Sequence, residues 1–209
     1  KFAGGMPVEG MLEYRNRERY NGQVKCTDQK GEWVIVREGQ GTHDYEAENN
    51  KGYFQYVGSW SGGEFNGKGT LFYKDKSYYE GDFLKGKREG QGLHVSDKSN
   101  GKTVSKGKFL GDQFVRGKID YPDGSYYIGD VENSMRHGEG VIQFSNGNQY
   151  NGRFERDQIK GLGLMNYANP KDQIYYGNFE NSKMNGEGEL RTKDFEYFGE
   201  FKADKREGP

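Results

Sequence analysis

Apolar and polar residues alternate along most of this chain, and the alternation is anchored on a recurring Tyr-x-Gly-x-aromatic pattern. Tyr150, Gly152 and Phe154 fall on one side of an extended segment, with Asn151 and Arg153 on the other. That is the period of a half-buried strand. The same anchor stands at Tyr20-Gly22-Val24, Tyr56-Gly58-Trp60, Tyr79-Gly81-Phe83, Tyr127-Gly129-Val131, Tyr175-Gly177-Phe179 and Tyr197-Gly199-Phe201, and without its tyrosine at Ser105-Gly107-Phe109. A Gly-x-Gly usually follows, as at Gly67/Gly69, Gly90/Gly92, Gly138/Gly140, Gly161/Gly163 and Gly186/Gly188. Alternation then resumes, with Gly140, Ile142 and Phe144 sharing a face. The unit is about 23 residues, repeated about eight times.

Turn signals divide each unit. Stretches such as Glu132–His137, Lys85–Glu89 and Glu180–Asn185 separate its two strands, while Asp123-Gly124 and Asn146-Gly147 connect one unit to the next. The pattern predicts an all-β protein, an elongated single-layer antiparallel β-meander solenoid of hairpin repeats, continuous over 1–209. Insertions interrupt it near 25–38, 46–55 and 96–104. Gly10 lies where half a unit would precede the first anchor, and Gly208 where a ninth Gly-x-Gly would begin, so the array is expected to be truncated at both ends.

Composition explains how a single layer could hold together. Hydrophobic residues make up 31% of the chain and aromatic ones 15%, beside 34 glycines. With few aliphatic residues and an outer face expected to be charged throughout, no second sheet can be packed. Glycine gaps on the inner face would instead receive tyrosine, phenylalanine and tryptophan rings from neighbouring strands. The glycines are therefore read as structural. A phosphate-binding loop is excluded at Gly62–Lys68 and Gly81–Lys87, because Gly69 and Arg88 stand where Ser or Thr would bind the metal.

The units resemble MORN repeats (membrane occupation and recognition nexus). The likeness is carried by Tyr56, Gly58 and Trp60, by Tyr79, Gly81 and Phe83, by Tyr127, Gly129, Gly138 and Gly140, and by Tyr150, Gly152 and Phe154. Arg136-His137-Gly138-Glu139-Gly140 keeps the family's histidine, which is Asn66, Glu89, Lys160 and Asn185 elsewhere. The mid-unit glycine is kept at Gly63 and Gly86 and replaced at Ser134, Asp157, Ser182 and Asp204. The resemblance implies a scaffold in cytoskeletal or ciliary assemblies such as radial spokes, a peripheral membrane or phosphoinositide binder, or an accessory domain of a lipid kinase or lysine methyltransferase.

Chemistry is sparse. His43, His94 and His137 sit in different units at no ligand spacing, the first two on the inner face as ring substitutes. The lone Cys26 has no triad partner, and acidic residues alternate with basic ones. No enzyme activity, cofactor or metal site is expected. A formal net charge of −1 gives no drive toward nucleic acid and only weak, salt-sensitive attraction to anionic lipid. The single cysteine fits a reducing, cytoplasmic setting, associated with the cytoskeleton or a cilium if the resemblance extends to function. Tyr78, Tyr126, Tyr176 and Phe198 stand one residue off the anchor tyrosine and so fall on the outer face, as partner contacts or through strand propensity alone. The insertions 25–38 and 46–55 are candidate recognition loops. A terminal strand edge would offer a site for self-association.

Overall fold

The computed structural model describes residues 1–3, 6–46, 51–169 and 172–207, and every regular element among them is a strand. In the first half these are β1 (Phe2–Ala3), β2 (Met6–Pro7), β3 (Glu9–Glu13), β4 (Arg19–Gln29), β5 (Glu32–Asp44), β6 (Tyr53–Ser61), β7 (Glu64–Tyr73), β8 (Tyr78–Leu84), β9 (Lys87–Lys98) and β10 (Gly101–Leu110). In the second half they are β11 (Gln113–Asp120), β12 (Tyr126–Glu132), β13 (Met135–Gln143), β14 (Gln149–Glu155), β15 (Gln158–Tyr167), β16 (Gln173–Glu180), β17 (Lys183–Arg191), β18 (Glu196–Lys202) and β19 (Lys205–Glu207). The chain forms two compact units, one up to Lys102 together with Lys106–Asp112, the other from Gln113 onward together with Thr103–Ser105. Within the first unit β3 to β9 pair in sequence order, each antiparallel to the next. Within the second, β11 to β19 do the same. Each is a meander of hairpins.

Two kinds of turn alternate. The one inside a repeat is shorter than the five or six residues expected between its strands. It has two central residues, both with positive φ: Asn133 (50°) and Ser134 (63°), Arg156 (51°) and Asp157 (69°), Asn181 (51°) and Ser182 (62°). This is the turn whose twist matches a twisted hairpin, and it disfavours side chains other than Gly, Asn or Asp. At its second position Asp157, Ser182 and Asp204 compensate by stapling the turn to the preceding repeat. Asp157 N–H donates to the Arg136 carbonyl at 3.0 Å, and its Oδ1 accepts from Arg136 N–H at 2.9 Å. Ser182 does the same with Ile159, at 3.0 Å each way, and Asp204 with Met184, at 3.0 and 2.8 Å. Gly63 and Gly86 make only the first of these bonds, to Arg37 and Phe65. Replacing Asp157 by Gly keeps the φ and removes the side-chain staple. We expect a loss of about 1 kcal/mol, the worth of a typical hydrogen bond, read as a lowered midpoint in urea.

Between repeats the connection is a three-residue loop ending in a left-handed residue: Gly124 (84°), Gly147 (88°) or Lys76 (69°). Asp75, Asp123 and Asn146 brace it by accepting from the backbone N–H two residues on, at Ser77, Ser125 and Asn148, each at 3.0 Å. The insertion 25–38 is not a loop: it lengthens β4 and β5 into a long hairpin, with Cys26 opposite Ile35 and Asp28 opposite Trp33. The insertion 96–104 likewise extends β9 to Lys98 and opens β10 at Gly101. Of the insertion 46–55, residues 47–50 lie outside the described set, as does Gly208.

The two glycines of Gly-x-Gly have different duties. Gly129 pairs with Gly140, but Asp130 then pairs with His137, so Gly138 and Glu139 bulge out of the β12–β13 register. Gly138 takes the left-handed backbone of that bulge at φ 63°, and Gly90 and Gly186 do the same at 65° and 80°. The second glycine lies flat beneath a ring. A Cβ on Gly140 would come within 2.5 Å of Cε2 and Oη of Tyr127, and one on Gly129 within 2.6 Å of Cζ of the same ring. Tyr20, Tyr56, Tyr79, Tyr127, Tyr150 and Tyr175 each fold over their own strand's glycine as well as the glycine paired with it on the next, and Tyr197 over Gly199. Rings were expected to come from neighbouring strands only; the same-strand contact arises because the side chain lies along the strand and spans two residues.

The covered hydroxyls show why the ring is tyrosine. Each donates to the backbone carbonyl three residues on: Tyr20 to Gln23 (2.6 Å), Tyr56 to Ser59 (2.9 Å), Tyr79 to Asp82 (3.0 Å), Tyr127 to Asp130 (2.7 Å), Tyr150 to Arg153 (3.3 Å), Tyr175 to Asn178 (3.0 Å) and Tyr197 to Glu200 (3.1 Å). Burial pushes the Tyr20, Tyr79, Tyr150 and Tyr175 hydroxyls up to about 12, so each keeps the proton it donates. Where the anchor ends in Trp60, Phe83, Phe154, Phe179 or Phe201, that ring sits edge-on between two tyrosines. In the second unit the ladder runs Tyr127, Phe154, Tyr150, Phe179, Tyr175, Phe201, Tyr197, with centroids 4.9 to 5.3 Å apart and near-perpendicular planes. In the first, Trp60 and Phe83 bridge Tyr20, Tyr56 and Tyr79 in the same way. Such edge-to-face pairs add about 0.5–1.5 kcal/mol each beyond the area they bury.

Candidate interaction surface

The face opposite the rings is where a partner could land. It is not charged throughout, as the sequence suggested. In the second unit the register aligns Ile128, Val141, Asn151, Leu164, Tyr176, Glu189 and Phe198 into one row across seven strands. Five of the seven are apolar, and Ile128, Tyr176 and Phe198 are 47%, 49% and 64% exposed. Leu164, Ile174 and Tyr176 form a small cleft there, rimmed by Glu189 and Arg191, which pair with each other. In the first unit the equivalent row is Asn21, Thr42, Val57, Thr70, Glu80 and Leu93, mostly polar.

The four outer-face rings singled out from sequence are distributed unevenly over this surface. Tyr176 and Phe198 share the apolar row, one on each side of Glu189. Tyr126 belongs to a neighbouring row with Gln143, Gln149, Asn166 and Ile174, and Lys118 Nζ lies 4.9 Å from its ring centre. Tyr78 stands in the first unit between Phe72 and the buried Val95. Sequence reasoning missed Ile128, Val141 and Leu164, although parity places each on the outer face beside an anchor glycine. It also missed Trp33 and Ile35, 65% and 42% exposed on the long hairpin of the first unit.

On the inner face the segment before each Gly-x-Gly is strand rather than turn, and it delivers a second layer of contacts. Phe65, Ile159 and Met184 are buried there. Arg136 takes the equivalent place, its guanidinium 5.5 Å from the Phe154 ring centre and its Nη2 donating to the Asp157 carbonyl at 3.1 Å. Arg37 lies 4.3 Å over Trp60 and donates through Nη2 to the Gly63 carbonyl at 2.8 Å.

His43, expected as a ring in the stack, does more than that. It is 1% exposed, with Tyr45 at 4.4 Å and Tyr14 at 5.5 Å between ring centres. Arg37 Nη1 lies 2.9 Å from its Nδ1, and Glu18 Oε2 lies 3.1 Å from its Nε2. Arginine can only donate, so Nδ1 accepts and Nε2 carries the proton toward Glu18. That tautomer is neutral, and burial together with Arg37 holds the imidazole below its ordinary range. Burial and Arg88 do the same for His94.

A sign follows for the pH dependence. Above about 6.5 both folded and unfolded histidines are neutral; below it the unfolded chain takes up protons that the folded one refuses, so stability falls as pH drops. Chemical unfolding at about pH 7.5 and about pH 5.5 should show the loss. The fall should be shallower in His94→Leu, since Leu71 and Leu190 fill the equivalent positions of other repeats.

A sequence model of the MORN repeat matches residues 56–78, 79–101, 127–149, 150–169, 175–194 and 197–209. The matched stretches begin on Tyr56, Tyr79, Tyr127, Tyr150 and Tyr175, which cover a glycine pair in the structure, and on Tyr197, which covers Gly199. Tyr20, outside them, makes the same contact with Gly22 and Gly41. Repeats of this kind suggest a repeat-based module for protein interaction or membrane binding. The chain belongs to the MORN repeat family.

Proposed function

We propose that this array is a non-enzymatic scaffold that binds other proteins along its outer faces, in the cytoplasm and within a cytoskeletal or ciliary assembly. One observation carries the reading: Ile128, Val141, Leu164, Tyr176 and Phe198 stand in one cross-strand row on the face opposite the ring core, broken only by Asn151 and Glu189, and three of them are exposed. Exposed apolar surface of this sort, rimmed by polar groups, is what protein contacts bury. The anchor tyrosines have their hydroxyls committed to backbone carbonyls, which supports a structural rather than a chemical use of the most perturbed groups.

Membrane binding is the second reading. It is disfavoured by the surface chemistry: Lys68 pairs with Asp82 and Lys160 with Glu155, both at 2.6 Å, so the basic side chains stand beside acidic ones. Acidic neighbours within a Debye length of about 8 Å cancel much of the roughly 1 kcal/mol each lysine gains at an anionic surface. The test sets co-sedimentation with phosphatidylserine vesicles at physiological salt beside affinity capture from a cytoskeletal extract. We expect captured proteins that are lost in Tyr176→Ser/Phe198→Ser, with little protein on vesicles. Tight vesicle binding that survives those substitutions, with no protein captured, would reverse the ranking.

A further inference from the structure

Two repeats of the first unit carry the same pair of polar substitutions on the inner face, and they finish it differently. His43 lies opposite Tyr20 and Arg37 opposite Val24; His94 lies opposite Tyr79 and Arg88 opposite Phe83. The two pairs occupy the same register positions, but Arg37 Nη1 lies 2.9 Å from His43 Nδ1 while Arg88 is bonded to Asp112. Elsewhere the histidine position holds Leu71, Ile142, Met165 or Leu190. Around His43 the cage is closed by Tyr14, Glu18 and Tyr45. Around His94 the same three positions are Tyr73, Ser77 and Ser96, and Tyr73 keeps its place at 6.3 Å.

Two large side chains have thus become serines, and a pocket of about 500 Å³ opens where they would be. It is lined by Lys51, Lys74, Ser77, Arg88, His94 and Ser96, among others. Three cationic side chains face it. Against them stands Asp75, whose Oδ1 accepts from the Ser77 amide at 3.0 Å and from the Ser77 hydroxyl. Arg88 is held at the pocket wall by the Asp112 backbone carbonyl and by Asp112 Oδ1, 3.4 Å from its Nε. In the closed copy, the group in the corresponding place is the Glu18 carboxylate.

We propose that this pocket receives a carboxylate in trans, an Asp or Glu side chain of an acidic partner peptide, in the place Glu18 fills in cis for the first copy. The occupant is argued from the molecule's own template and from charge: His43 is met by the Glu18 carboxylate, whereas His94 faces a pocket walled by two lysines, two small hydroxyls and Asp75, with Arg88 paired to Asp112. The proposal rests on the reading of the array as a protein-binding module and names the chemistry of one contact.

The test uses the whole chain and N-acetylglutamate amide as probe, following the imidazole signals of His43 and His94 and the amides of Ser77 and Ser96 by NMR, with inorganic phosphate in a parallel titration. A saturable shift at His94, Ser77 and Ser96, absent at His43, is expected. Ser77→Glu supplies the missing carboxylate from within and should weaken the probe at least about tenfold. Should Ser77→Glu fail to fold, His94→Leu and Lys51→Gln carry the same test, and each should weaken the probe at the Ser77 and Ser96 amides. No saturable shift, or unchanged binding in a folded variant, overturns the proposal. Phosphate saturating the pocket at about tenfold lower concentration than the probe overturns the carboxylate assignment. Capture of partners through Tyr176 and Phe198 is a separate readout in the other unit, so it survives if this pocket alone is misread.

Discussion

Gly163→Val should destabilise the second unit by about 3 kcal/mol, the upper end of what overpacking costs. A Cβ at this position would lie 2.5 Å from Cε2 and 2.6 Å from Cζ of Tyr150, before the two methyl groups of valine are counted. The Tyr150 ring cannot retreat, because its hydroxyl is bonded to the Arg153 carbonyl and its edges meet Phe154 and Phe179. On the paired strands stand Gly152, covered by the same Tyr150 ring, and Gly177, covered by Tyr175. The comparison that isolates the cause is Gly161→Asn, two residues away. Gly161 has a φ of 76° but nothing within 4 Å of its Cβ, and asparagine tolerates that backbone. Thermal melts should show a large drop for Gly163→Val and a small one for Gly161→Asn. Equal drops would mean that the ring over the glycine is not what the repeat depends on.

That contrast also marks what could be read from the residues alone. The anchors Tyr150, Gly152 and Phe154 announced strands, a face and a period, because alternation within one strand needs no knowledge of its neighbours. The division of labour between Gly161 and Gly163 could not be seen that way. Both glycines look alike in sequence, and only the bulge in register separates the left-handed one from the covered one. The staples were hidden for a similar reason: Asp157 answers Arg136, a whole repeat away, and nothing local ties them. Arg88 and Arg136 were read as turn residues and Arg37 as part of the insertion 25–38, because polar side chains crowd there, whereas the two-residue turn leaves all three on the inner face over rings.

The candidate surface illustrates the same limit. Tyr176 and Phe198 were legible as outer-face rings from parity with Tyr175 and Tyr197. The row they complete was not, because Ile128, Val141 and Leu164 each contribute one side chain from a different strand. An apolar stripe running across strands has no signature along any of them. It becomes visible only when Leu164 is known to face Tyr176 and Val141 to face Ile128. The His43 and His94 cages were likewise separate lone histidines until the register showed both facing an anchor tyrosine.

The second large effect is expected at the tyrosine itself, and a pair of substitutions divides it into two parts. Tyr127→Ala should cost about 3–5 kcal/mol, as removal of a fully buried aromatic does. Tyr127 is 0% exposed, covers Gly129 and Gly140, and stacks edge-on against Phe154. Without the ring, Gly129 and Gly140 would face a cavity. Tyr127→Phe keeps the ring and removes only the hydroxyl, which donates to the Asp130 carbonyl at 2.7 Å. That half-buried carbonyl would lose this donor, so the cost should be about 1–2 kcal/mol rather than nothing. Urea titrations of the two variants should therefore give midpoints in the order wild type, Phe, Ala, with the larger gap between Phe and Ala. The reverse spacing, a large loss at Phe and little more at Ala, would assign the tyrosine's role to its hydrogen bond and not to the ring laid over the glycine pair.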